Sequence, residues 1–321
     1  MNKTKIWLIT ATCLVIIGSI IFVGVMAVLK WDFTKLQTAK FETNNYEINE
    51  NFKNISVVTD TADIVFKVSE NQKTAVVCYE QKNAKHSVSV KEDSLVIEIM
   101  DTRKWYEHIG IMFGTPEITV YIPQGEYGEL LVKGSTGDVE IPKDFKFGSI
   151  DIAKSTGNVR NYASASKSIK IKTSTGDIKV QNVKARKIDL SVSTGEINVS
   201  SVNCEGDISA KVSTGKTNMT DISCKNIVSG GSTGGILLKN VIAVEKFTVE
   251  RSTGDIRLEK CDAADILIKT DTGDINGTLL SGKIFTANSD TGNVKVPESE
   301  AGGKCKITTD TGDIKISISN N

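Results

Sequence analysis

Proline and aromatic residues are scarce in this 321-residue chain: there are four prolines, and Phe, Trp and Tyr together make up 6%. Neither sign of charge is in excess, with Lys+Arg and Asp+Glu at 39 each. That balance lacks the electrostatic footprint of a nucleic-acid binder, which a basic domain would show. The six cysteines, Cys13, Cys78, Cys204, Cys224, Cys261 and Cys305, include no C-x-x-C pair. Neither a zinc site nor a dense disulfide framework is signalled. The two histidines, His86 and His108, have no Ser or Cys partner at motif spacing, so no nucleophile–base signature is present. What is abundant is Gly, at 26 residues, with Val, Ile, Ser and Thr crowding the second half. That mixture reads as strands joined by tight turns.

One long apolar run breaks the pattern. Ile6 to Leu29 carries no charged residue. At about 1.5 Å per residue, a helix of that length spans the roughly 30 Å hydrocarbon core with some tilt. Lys3 and Lys5 precede it and favour a cytoplasmic amino end, although Lys30, Lys35 and Lys40 on the far side weaken the bias. A cleaved signal peptide is the competing reading. It calls for a shorter apolar region and a small-residue cleavage site, and Val25-Met26-Ala27 is a poor one. The expectation is a retained single-pass anchor: residues 1–5 cytoplasmic, 6–29 in the cell membrane, 30–50 a linker, and the bulk of the chain outside. Cys13 lies in the span without a lipid-attachment box.

A repeat organises the remainder. Thr-Gly recurs with its glycine at Gly137, Gly157, Gly176, Gly195, Gly215, Gly234, Gly254, Gly273, Gly292 and Gly312, at spacings of 19 or 20. Two helices and a loop do not fit in so short a period, whereas one coil of a β-solenoid does. Seven residues before each glycine stand Leu130, Ile150, Ile169, Ile188, Ile208, Ile227, Phe247, Ile266, Phe285 and Cys305. Two residues after it stand Val139, Val159, Ile178, Ile197, Thr217, Ile236, Ile256, Ile275, Val294 and Ile314. Apolar residues alternate on both sides of the bend, as in strands with one buried face. The fold class is therefore all-β: a parallel β-helix-like solenoid over 124–321, with about ten regular coils and a length of roughly 45–50 Å at 4.8 Å per coil. Cys261 and Cys305 face inward as small apolar residues.

The glycine supplies the positive φ that a stacked corner needs. After it comes Asp138, Asn158, Asp177, Glu196, Lys216, Gly235, Asp255, Asp274, Asn293 or Asp313. Asp and Asn there are expected to bond to the backbone of their own turn. Arg160, Lys179, Arg257, Lys295 and Lys315, two positions on, relieve the repulsion of stacked carboxylates and leave a neutral wet face.

Residues 51–123 are less regular and are expected to begin and cap the solenoid. The stretch 55–69 reads as a degenerate copy with Ala62 at the glycine position. Residues 102–114 read as a loop or short amphipathic excursion carrying Trp105, Tyr106 and Phe113, either a plug over the open end or a contact tip for a partner or membrane. At the carboxyl side the final coil is expected to expose strand edges, through which the chain could pair with a second copy or a partner strand.

The reiterated STGDI and DTGDI copies, the TDTADIVF variant and the HSVSVKEDSLVIEI stretch together resemble the bacterial "putative adhesin" family of β-strand-repeat cell-envelope proteins. The resemblance covers roughly residues 40–320. It implies a β-solenoid exposed at the envelope, with some relatives linked to envelope stress, and it supplies no catalytic residues.

Chemistry along the stack has three further candidates. Asp255, Asp274 and Asp313 with Arg257 and Lys315 could mimic a polysaccharide-cleaving β-helix, yet the corner pattern accounts for each of them. Calcium-binding solenoids carry acidic residues far more densely than one per 19 or 20, and Lys216 and Gly235 interrupt this column. Thr173-x-Thr175, Thr270-x-Thr272 and Thr309-x-Thr311 have the spacing of an ice-binding array, but Val192, Val212 and Arg251 break it. The expectation is a non-enzymatic module without cofactor or metal, binding an envelope protein or glycan through its surface. A regulatory envelope-stress protein engaging a membrane or sensor partner is the alternative, and a polysaccharide-active enzyme a more distant one.

Overall fold

In the computed structural model, which describes residues 3–37, 39–105, 114–299 and 301–319, the chain is a parallel β-solenoid preceded by one apolar helix. The helix runs Lys3–Val28, and its length and composition suit a membrane anchor or a signal sequence. Among its described residues only Met26 is buried.

Rungs stack in parallel register. Ile150 lies beside Leu130 and Ile169, Ile169 beside Ile188, and Ile188 beside Ile208. Past the corner, Val139, Val159, Ile178, Ile197, Thr217 and Ile236 form a second file. Leu130, its equivalents through Ile266, and Cys305 are at most 3% exposed. Each fully buried aliphatic side chain contributes about 1.5–3 kcal/mol, so the core is a set of columns rather than a central knot.

The corner glycines keep φ between +117° and +155°. A Cβ on any of them would also run into the glycine carbonyl oxygen of an adjacent rung, or, at Gly137, into that of Ala62. Conformation and close approach both require glycine. Across the corner, Gly157 N–H donates to Thr175 O at 2.9 Å and Gly176 N–H to Thr194 O at 3.0 Å.

Spatial order departs from chain order at both ends. Gly303–Thr311 lies between Asp265–Thr272 and Lys283–Thr291. Likewise Ile314–Ile318 lies between Ile275–Leu279 and Val294–Lys295. The corner file therefore runs Gly254, Gly273, Gly312, Gly292, and the final segment is inserted one rung deep. The expectation that the last strands form the free edge is corrected. Lys283–Thr291 is outermost, its inward-facing Phe285 and Ala287 only partly buried because no rung covers them.

At the amino side, Asn54–Thr61 and Asp63–Val68 form the rung beneath Gly137. Later segments, Ser94–Asp101 and Glu117–Ile122, pack beneath that rung in turn. Antiparallel strands close this end: Ala84–Lys91 on Ser94–Asp101, Thr74–Gln81 on Glu117–Ile122, and Phe41–Ile48 on Thr74–Gln81. The cap is thus a set of paired strands, and Asp101 and Glu117 end and begin strands on either side of the place where another Thr-Gly corner would stand.

Both requirements fall on the corner glycine and neither on the glycine that follows it. Gly234 has φ +119° and abuts Gly215 O, whereas an added Cβ at Gly235 meets nothing closer than Asp255 O at 3.5 Å. Gly234→Ala is expected to cost about 1–3 kcal/mol from backbone strain alone, and Gly235→Ala to leave the denaturation midpoint nearly unchanged. Equal effects would show that the corner does not demand glycine. Deleting residues 303–321 is expected to abolish amide-exchange protection in 283–295 as well, because that rung rests on the deleted one. Retained protection there would contradict the rung order.

Candidate functional site

Where Asp or Asn follows the corner glycine, its side chain reaches an adjacent rung rather than its own turn. Asp63 Oδ1 accepts from Asp138 N–H at 2.8 Å, Asp138 Oδ1 from Asn158 N–H at 2.8 Å, and Asn158 Oδ1 from Asp177 N–H at 2.9 Å. Asp177 Oδ1 continues to Glu196 N–H at 2.8 Å. The series resumes as Asp255 to Asp274, Asp274 to Asp313 and Asp313 to Asn293, at 3.0, 2.8 and 2.8 Å. Partial burial works against ionisation of Asp138, but the Asn158 backbone and amide and the Arg160 guanidinium outweigh it and hold the carboxyl below its usual range. The acidic candidates Asp255, Asp274 and Asp313 thus stand in a file, each committed to a backbone N–H. Arg257 pairs with Glu259 at 2.9 Å.

The column three residues before the glycine faces inward. Thr173, Thr270 and Thr309 are at most 1% exposed and donate to corner carbonyls: Thr173 to Gly157 O at 3.3 Å and Thr309 to Gly273 O at 3.1 Å. They form no exposed array. Two cations share this column. Lys154 donates to Thr136 O at 3.1 Å, and Arg251 to Val212 O at 2.8 Å and Thr217 Oγ1 at 3.3 Å. Each crosses the space left by a glycine one rung away, Gly134 for Lys154 and Gly231 for Arg251. Burial lowers the pKa of both. Sequence periodicity registered Arg251 only as an interruption and gave no sign of Lys154.

A second polar cluster joins the cap to the first rung. His86 Nδ1 lies 2.6 Å from Glu80 Oε2, and His86 Nε2 lies 2.8 Å from Thr59 Oγ1. Glu80 also accepts from His86 N–H at 2.6 Å and from Asn44 Nδ2 at 2.7 Å. Cys78 approaches the same carboxylate and imidazole closely enough for a shared ion. Burial, with Glu80 adding to it, pushes the Cys78 thiol up to about 12, so this sulfur is a poor thiolate ligand. The carboxylate–imidazole–hydroxyl order is that of a nucleophile–base relay. Yet Thr59, Glu80 and His86 are 5%, 1% and 3% exposed, and their side-chain hydrogen bonds run to one another and to Asn44. The cluster is a clasp between Asn54–Thr61 and the cap strands. The sequence could not show it, because its members meet only through strand pairing.

The ten glycines stand in one file. Trp105 is 77% exposed beside the stack, while Tyr106, His108 and Phe113 lie outside the described residues.

Among solved structures, a "putative adhesin" from Bacteroides fragilis NCTC 9343 is 16% identical. The match covers 87% of this chain and 97% of that one, with a TM-score of 0.42. A "putative lipid binding protein" from Parabacteroides distasonis ATCC 8503 is 13% identical over 88% and 98% of the two chains, with a TM-score of 0.43. No curated protein matches the sequence. The Toastrack DUF4097 family model matches residues 52–211 and 203–321, which takes in both the cap-side rungs and the regular stack. The chain belongs to the Toastrack DUF4097 family.

Proposed function

We propose that this protein is a single-pass, membrane-anchored solenoid, held outside the cytoplasmic membrane, that acts by binding an envelope component through its surface and carries out no catalysis. One observation carries this reading. The residues best suited to acid–base chemistry, Thr59, Glu80 and His86, are sealed in the cap junction, whereas the outward columns of a self-supporting stack face solvent over its whole length. The helix Lys3–Val28 supplies the anchor. The corner carboxylates are engaged in the stack itself and serve its rigidity.

Labelling of intact cells with a membrane-impermeant reagent is expected to modify the solenoid, and crosslinking in intact envelopes to retain an envelope component on it. Protection of the whole chain from the reagent, or clean recovery without any partner, would sink the proposal. His86→Ala strands Glu80 and Thr59 and is expected to destabilise the cap by roughly 2–4 kcal/mol, read from urea denaturation. A hydrolytic turnover lost on Thr59→Val in a folded protein would instead make the cluster catalytic.

A further inference from the structure

The chain is neutral as a whole, but one side of the stack is not. A groove of about 820 Å³ crosses the rungs where strands begin their run toward the Thr-Gly corners. Its walls carry Lys53, Lys146, Lys167, Lys184 and Arg186, against Glu126 and Glu205. Lys146 is paired with Glu126 at 3.2 Å. Among the described residues Lys53, Lys167, Lys184 and Arg186 form no ion pair, although exposed lysines elsewhere on the stack do, such as Lys170 with Asp151 and Lys225 with Glu245.

The strands explain why this is a groove rather than a face. Gly128, Gly148, Ala165 and Ala185 line it, so little side chain fills the floor. Register places Glu126, Lys146, Ser164, Lys184 and Asn203 on successive rungs. Pairing shifts between Ala165 and Ser168, so that Ser166 and Lys167 together oppose a single residue on each flanking rung. Such a bulge re-aims a side chain and is common beside functional sites. Tyr127, half-buried against Phe147 at 5.9 Å between ring centroids, adds an aromatic patch to the wall.

Lys167 stands on one rung and Lys184 and Arg186 on the next, with Lys53 three rungs further along; without carboxylate partners, cations on adjacent rungs about 4.8 Å apart repel one another. They are spread along the stack axis, not convergent on a point, and they line a concavity. A single small anion would meet one or two of them, and a flat bilayer would not enter. We infer that the groove binds a linear anionic polymer of the envelope, a chain bearing phosphate diesters or carboxylates, laid along the stack so that Lys167, Lys184 and Arg186 hold one stretch of it and Lys53 another. This inference rests on the surface-binding reading above and gives that reading its ligand class.

The test uses the full chain in detergent micelles with polyphosphate and polygalacturonate as probes, titrated at low and high salt. Binding to at least one is expected, with affinity falling steeply as salt rises; which polymer binds tells phosphate from carboxylate. The triple variant Lys167→Glu, Lys184→Glu, Arg186→Glu is expected to lose at least about tenfold in affinity. The charge-matched control Lys246→Glu, Lys306→Glu, Lys315→Glu, on exposed sites away from the groove, should lose little. Thermal unfolding of both variants checks that these exposed changes leave the fold intact. No binding of either polymer at low salt, equal loss in both triples, or binding only to phosphatidylglycerol vesicles would overturn the inference. Envelope crosslinking separates the two levels. Retention by wild type and groove triple alike refutes the groove but leaves surface binding standing, and no retention by wild type refutes surface binding itself.

Discussion

Everything in this molecule depends on how closely one rung can approach the next at the Thr-Gly corner. The space a Cβ would need is occupied by a neighbouring rung's carbonyl oxygen, so the backbones themselves are in contact. That contact fixes register, and register turns one isoleucine per coil into a column with almost no exposure. It also brings the Asp or Asn after the glycine within reach of the adjacent rung's N–H. A single steric condition thus sets the backbone ladder, the core and the polar file on the outer edge.

The same geometry accommodates two buried cations. An isolated charge is costly to bury, yet Lys154 and Arg251 enter the interior without a carboxylate among their hydrogen-bond partners. Each lies over a glycine, Gly134 or Gly231, and donates to main-chain carbonyls. Arg251 is incompletely served: its Nε and the nearby Ser229 Oγ find no partner. The pairs Gly134 with Lys154 and Gly231 with Arg251 are each 20 residues apart, so a small residue in one coil makes room for a long one in the next.

The repeat, its columns and its corner glycines were legible because they recur, and recurrence in sequence becomes adjacency in space. The inserted rungs were not. Cys305 and Phe285 occupy the same column, so exchanging their rungs leaves every hydrophobic pattern unchanged. Bonding to its own turn is the usual habit of Asp, and only the rung spacing redirects these side chains to the adjacent rung. Alternation does not say which side of a corner a polar residue takes, so the spacing of Thr173, Thr270 and Thr309 does not disclose that they face inward. The Glu80–His86–Thr59 clasp needed the cap strands paired before it could be seen. The groove was hidden by a charge total of zero, since opposite charges elsewhere cancel Lys53, Lys167, Lys184 and Arg186 in any sum.

The inserted carboxyl-side rung bears on mechanics. In an ordinary pile of layers, tension on the tail peels off the outermost one bond at a time. Here tension applied beyond Ile318 enters a strand paired along its whole length with Ile275–Leu279 and, at Ile314 and Lys315, also with Val294–Lys295. It must drag that strand lengthwise against both neighbours, loading many bonds together, so the molecule resists pulling from this side in shear rather than by unzipping.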